Sequence, residues 1–215
     1  MERARERAGR PPGSVRLLAV TKTVEAERVR RAWDAGVRLF GESYVQEAVG
    51  KVDRLPPEAE WHFIGHLQSN KARQALDLFR LVHSLDRPSL ADALEKAARA
   101  RGAQVDVLLE VNVGAEASKS GASLGDALDL ARRAEEWPSL RIRGLMAIPP
   151  YLADAEEVRP YFRAVRELAD RIRALELPGV AMEELSMGMS HDFPVAIEEG
   201  ATLVRVGTAL FGERA

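Results

Sequence analysis

The stretch "VRLLAVTKTVEAERVRRAWDAGVRLFGE", residues 15 to 42, contains one full repeat of the fold. Val15 to Val20 form an apolar run that stops at Thr21, Lys22 and Thr23. From there Ala26, Val29 and Trp33 recur at spacings of three and four between arginines, the pattern of a helix with one buried face. Gly36 ends that helix and Val37 to Gly41 begin a second apolar run. A strand, a helix and a strand in this order pair in parallel through a right-handed crossover.

The same alternation continues to the end of the chain. Strand-like runs are expected at 15–20, 37–41, 61–65, 79–85, 105–113, 142–148, 183–189 and 202–210. Helical patterns lie between them, as in "SLADALEKAARARG", "SLGDALDLARRAEEW" and "DAEEVRPYFRAVRELADRIRAL", with Ser123 and Asp154 as expected N-caps. The helix between strands three and four has the shortest link. Eight strands alternating with helices predict an α/β fold, a single (β/α)8 TIM barrel in one domain over 1–215. The helix expected after strand eight is missing from this reading. A short N-terminal helix at residues 2–9, inside a 1–13 helix-and-linker segment, would cover that flank.

Composition narrows the class of function. Lysine plus arginine number 31 against 33 acidic residues, a formal charge of -2, so no basic field exists to gather nucleic acid or an anionic membrane. Cysteine is absent, which excludes disulfides and thiolate chemistry and fits a reducing cytoplasm. The opening "MERARERAGRPPG" is no secretory signal, and no apolar run reaches the roughly 20 residues of a membrane span. A soluble cytoplasmic protein acting on a small molecule is expected, with a monomer as its expected state. No metal-ligand spacing, catalytic triad or P-loop is found.

Barrel chemistry gathers at the C-terminal ends of the strands. Strand one delivers Lys22 there, strand two Glu42 and Ser43, strand three His66, Asn70 and Lys71, and strand four His83. Strand five delivers Asn112 and Lys119, strand six Met146, strand seven Ser186 to Ser190, and strand eight Gly207 and Thr208. Only five of the 31 basic residues are lysine, at 22, 51, 71, 96 and 119, and three of these share that face. A deprotonated amine can attack an aldehyde and a guanidinium cannot, so Lys22 is the candidate imine former. The alternative is a solvated loop lysine.

Arg205 interrupts the apolar strand "TLVRVGTAL" and needs a buried acceptor; a structural salt bridge to Glu110 or Glu184 would supply one. Ser186 and Ser190 in "SMGMSHD", with Gly207 and Thr208, form the loops after strands seven and eight, where barrels often bind phosphate. Ser190 could instead be a plain helix N-cap. A lysine, a buried cation and a phosphate cradle suit pyridoxal phosphate or a sugar phosphate, and spacing does not choose between them.

Seven segments in order, "LLAVTKT", "FGESYVQEA", "WHFIGHLQSNKAR", "VHSLDR", "EVNVGAEASKSG", "RGLMAIPP" and "LSMGMSHDFPVAIEEGATLVRVGTALFG", resemble the pyridoxal phosphate homeostasis protein family, also called the YggS or PROSC family. The resemblance covers residues from about 15 to 212. It implies a barrel like the N-terminal domain of alanine racemase, fold type III of the pyridoxal phosphate proteins. It also implies pyridoxal 5'-phosphate as an aldimine on Lys22, its phosphate on Ser190, Gly207 and Thr208, and Arg205 facing the pyridine nitrogen. Ser186, Met146, Ser43 and His83 complete the expected cofactor-binding set. Two positions depart from the family: Ser43 stands where asparagine is usual, and His191 where an aspartate is often found.

An arginine donor leaves the pyridine nitrogen unprotonated and the cofactor a poor electron sink. The resemblance therefore implies a protein that binds and stores or delivers the cofactor without turnover, with pyridoxal phosphate-dependent apoenzymes as candidate recipients. Lys71 and Lys119 are candidates to assist transfer or take a second cofactor. The competing readings are a small amino-acid racemase of the same fold and an imine-forming aldolase.

Overall fold

The computed structural model describes residues 1–116 and 119–212; residues 117 and 118, inside "EVNVGAEASKSG", and 213–215 lie outside the described residues. Eight parallel strands close into a barrel in sequence order. They are β1 (Arg16–Val20), β2 (Leu39–Glu42), β3 (Glu60–Phe63), β4 (Leu81–Leu85), β5 (Val105–Val111), β6 (Leu140–Ala147), β7 (Val180–Ser186) and β8 (Leu203–Val206). Outside them run α1 (Glu2–Arg7), α2 (Ala26–Asp34), α3 (Val45–Val52), α4 (Ala72–Leu78), α5 (Pro88–Arg101), α6 (Leu124–Arg132), α7 (Arg159–Arg173), α8 (Phe193–Glu198) and α9 (Thr208–Phe211).

Strand alternation sorts the apolar residues into two clusters. Ala19, Phe40, Val82, Leu109, Leu145 and Val204 pack outward under the helices. Leu18, Leu39, Leu81, Leu108, Met146 and Leu203 form a separate cluster with Val20, Ile64 and Ile148, which fills the barrel itself. Each fully buried leucine contributes about 1.5–3 kcal/mol of transfer free energy, so a one-residue register slip in any strand would exchange these faces at large cost. The N-caps form as expected: Ser123 Oγ accepts from Asp126 N, and Asp154 Oδ1 accepts from Glu156 N. Gly102 closes α5 in the left-handed region at φ 62°.

Two expectations need correction. Strand eight ends at Val206 and not at residue 210, because the chain turns at Gly207 into α9, so the eighth helix is present as a single turn. Strand seven ends at Ser186 and not at residue 189, which leaves Met187 to Asp192 as an irregular loop over the barrel mouth. The N-terminal helix packs on α8, the helix between β7 and β8. Arg7 pairs with Glu198 at 2.9 Å, and Arg10 Nη1 donates to the carbonyls of Ile197 and Ala201. At the N-terminal end of the strands a charged rim of Arg16, Glu60, Arg80, Asp106, Arg143 and Glu184 surrounds a shallow basin.

Candidate functional site

Lys22 leaves the end of β1 between two clamped residues. The Thr21 hydroxyl donates to Glu42 Oε1 at 2.6 Å, and Thr21 O accepts from Lys51 Nζ at 2.7 Å. Thr23 N donates to Glu47 Oε2 at 2.8 Å, and Thr23 itself is left-handed at φ 61°, a conformation that a β-branched residue adopts only under constraint. Lys51 also donates to Glu42 Oε1 at 2.7 Å, so a buried amine and a buried carboxylate hold the backbone on which Lys22 stands. Burial pushes the Glu42 carboxyl up, against the hydrogen bonds of Lys51 and Thr21. Sequence reasoning missed Lys51. Its signal was present: Lys51 is one of five lysines and follows Glu47 by one helical turn.

The adjoining wall comes from the loops after β7 and β8, since β8 pairs directly with β1. Ser190 is not the N-cap of α8; Asp192 occupies that position, with its Oδ1 accepting from Met189 N at 2.6 Å. Ser190 Oγ instead accepts from Ala209 N at 3.3 Å, which ties the two loops together. Lys22, Ser43, Ser190, Arg205, Gly207 and Thr208 all border one cavity of about 270 Å³, with Ile64, Ile148, Tyr151 and His191 on its rim. His191 meets Tyr151 in a tilted ring contact with centroids 5.3 Å apart.

Arg205 is 4% exposed, and the salt bridge to Glu110 or Glu184 does not form. Its Nη1 donates to Ser186 O at 2.5 Å and Ser186 Oγ at 2.8 Å, and its Nη2 to Ala147 O at 2.8 Å. Burial lowers its pKa to about 10, so it remains a cation at neutral pH. Three of the expected contact residues lie behind this wall. Ser186 and His83 are fully buried and bonded to each other at 3.0 Å, and Met146 sits in the apolar plug inside the barrel; none borders the described cavities.

A second cavity adjoins the first across Lys22 and Ser43 and is lined by Glu110, Lys119, His66 and Tyr44. Glu110 Oε2 is buried without a hydrogen-bond partner, and burial, reinforced by Asp86, pushes this carboxyl up to about 7. Lys119 Nζ bonds to Glu116 Oε1 at 2.5 Å and to Pro149 O at 3.1 Å. Lys71 ends a 3-10 turn at Ser69–Lys71 and borders neither cavity. Among the described residues no group of His, Cys, Asp and Glu could hold a metal ion, and no helix is long and apolar enough to cross a membrane.

A closed parallel barrel with a lysine at the end of its first strand and a hydroxyl-and-glycine cradle beside it suits a barrel of the alanine racemase N-terminal type, and the family model described as "Alanine racemase, N-terminal domain" matches residues 1–215. The pyridoxal phosphate homeostasis protein of Aquifex aeolicus is 48% identical over 215 residues, covering 100% of this chain and 93% of that protein. That of Pseudomonas aeruginosa is 48% identical over 212 residues, covering 98% and 90%. The structure of PipY from Synechococcus elongatus with pyridoxal phosphate bound superposes with a TM-score of 0.85 at 38% identity, covering 98% of this chain and 99% of that one. The chain belongs to the pyridoxal phosphate homeostasis protein family.

Proposed function

We propose that this chain binds pyridoxal 5'-phosphate, takes part in its homeostasis by storing or delivering it, and anchors it covalently at Lys22. The observation that carries the reading is the convergence of Lys22, Ser190, Arg205, Gly207 and Thr208 on one cavity. The residues suit the cofactor chemically. An amine meets an aldehyde, hydroxyl and glycine positions meet a phosphate, and a buried guanidinium held only by neutral oxygens meets an aromatic nitrogen. When bound, the cofactor supplies an aldehyde that forms a reversible covalent bond with a primary amine.

The chain's own residues supply position and charge. The Thr21 and Thr23 clamps fix where the lysine stem leaves the barrel. Arg205 donates and cannot accept a proton, which opposes protonation of the ring nitrogen and favours holding over turnover. Ser186, His83 and Met146, expected among the cofactor-binding residues, lie buried behind this wall, with Ser186 bonded to Arg205. The homeostasis role follows the relatives' names. Apoenzymes as recipients, a monomeric state, one domain and a cytoplasmic setting complete the proposal.

Borohydride reduction of the loaded protein followed by peptide mapping tests the anchor. The label is expected on Lys22, and Lys22→Ala is expected to abolish both the label and the near-visible absorbance. A label on Lys119 or Lys71 in place of Lys22 would overturn the assignment.

One observation favours a second reading, a weak amino-acid racemase: Tyr44 and Tyr151 both border cavities that Lys22 borders. Deuterium exchange at the α-carbon of added amino acids, lost in Lys22→Ala, would establish it.

A further inference from the structure

Five side chains form an unbroken line through the barrel. Starting at the charged rim, Glu60 Oε1 lies 2.8 Å from His62 Nε2, and His62 Nδ1 lies 2.9 Å from His83 Nε2. His83 Nδ1 lies 3.0 Å from Ser186 Oγ, which lies 2.8 Å from Arg205 Nη1. His62, His83, Ser186 and Arg205 are all buried, so water cannot substitute for a missing partner.

The two ends of the line determine every proton between them. A guanidinium only donates and a carboxylate only accepts. Burial holds both histidines below their ordinary range, so each ring is neutral and carries one proton. The bond to His62 holds the Glu60 carboxyl below its ordinary range, so Glu60 is the acceptor. His62 must then donate from Nε2 and accept at Nδ1, and His83 must donate from Nε2 and accept at Nδ1. Ser186 must donate its hydroxyl proton to His83 and accept from Arg205. All four protons point from the site toward Glu60. Reversing any one bond leaves two donors or two acceptors facing each other.

We propose that Glu60, His62 and His83 are positioning residues of the cofactor site, which act through Ser186 to fix the donor geometry and polarity of Arg205 from the opposite end of the barrel. The inference rests on the reading that Arg205 faces the cofactor's ring nitrogen. Among the described groups facing Glu60, Arg16 at 3.7 Å and Arg80 at 3.8 Å are cationic, and Arg16 also pairs with Glu184 at 2.7 Å. The state of this rim is thereby joined to the site through four consecutive hydrogen bonds.

Two measurements on the full chain test it. In the cofactor-free protein, nitrogen-15 spectra of the histidine rings should show His62 and His83 as neutral Nε2–H tautomers at pH 7. An Nδ1–H tautomer or a charged ring at either position would overturn the proposal. In the protein loaded with pyridoxal phosphate, Glu60→Leu should shift the near-visible band and its pH midpoint and speed cofactor release about fivefold, the size of one lost buried hydrogen bond. Glu60→Gln keeps an acceptor and should restore most of the release rate while leaving the midpoint shifted. If Glu60→Leu lowers thermal stability but leaves band, midpoint and release unchanged, the line is structural only and the proposal fails. Should wild-type protein bind no pyridoxal phosphate, the cofactor reading fails and takes this inference with it.

Discussion

At the scale of single residues, Glu110 is a buried carboxyl whose Oε2 has no hydrogen-bond partner. Its folded pKa of about 7 exceeds the ordinary 4.5, with burial the largest cause and Asp86 next, while Arg205 and Arg87 pull the other way. A raised folded pKa means the native state holds the proton longer than the unfolded chain. The contribution to stability is full below about 4.5 and is lost as pH rises through 7. Glu110→Gln should therefore stabilise the protein above pH 7, by on the order of 3 kcal/mol, and leave it unchanged near pH 4.5. Urea titrations at both pH values decide this, and equal shifts at the two would reject it. The sequence marked Glu110 only as a salt-bridge candidate for Arg205, because strand alternation placed both inside the barrel. Pattern alone cannot tell a paired interior carboxylate from an orphaned one, since that depends on how the guanidinium turns.

At the scale of elements, the loop between β7 and α8 depends on one glycine. Gly188 has φ 90°, and a Cβ there would sit 2.5 Å from Ala196 Cβ and 3.0 Å from Phe193 Cα, so α8 would have to move. Gly188 O also accepts from Arg205 N at 2.9 Å, which carries the displacement into β8. Gly188→Ala should cost about 2–4 kcal/mol from overpacking and backbone conformation, and weaken phosphate retention. Gly9→Ala, with φ 64° and open space around it, isolates the backbone cost and should lose about 1 kcal/mol. Thermal melts of the two variants make the comparison, and equal losses would refute the packing argument. The barrel was legible in the sequence because strand and helix periods differ and eight repeats of that contrast are hard to mistake. The loop's start was not legible, since Met187 to Met189 keep an apolar, strand-like composition after the ladder has ended. α9 was read as strand because the apolar run of "TLVRVGTAL" continues past Gly207, although Ala209 and Leu210 favour helix once the chain turns there. Lys22, Ser190, Arg205, Gly207 and Thr208 border one cavity at the ends of their strands, whereas His83 and Met146 lie deeper in the barrel, a depth that spacing does not encode.

At the scale of the whole molecule, the barrel closes least securely beside its site. β5 and β6 pair along seven registered positions, but β7 and β8 share only Ser186 with Leu203. The rest of that seam is held by irregular bonds, among them Thr202 N to Leu185 O at 3.0 Å, Met187 N to Leu203 O at 3.1 Å and the Arg205 contacts. Outside it, α8 is braced by the N-terminal segment, where Arg10 donates to the carbonyls of Ile197, Ala201 and Ser14. Carbonyls at a helix end have no intrahelical partner, so a guanidinium there satisfies them and opposes the helix dipole. Arg10→Ala should then cost about 2 kcal/mol, and the loss should be local before it is global. Hydrogen exchange reads this directly. The amides of Met187, Thr202 and Arg205 should exchange faster in the variant, while those of β5 and β6 keep wild-type protection. Cofactor release should rise with the exchange rate of the seam, because Ser190 and Gly207 are carried by the loops that close it. Uniform acceleration across all eight strands would mean that the barrel opens as one unit and that the N-terminal segment braces no particular seam.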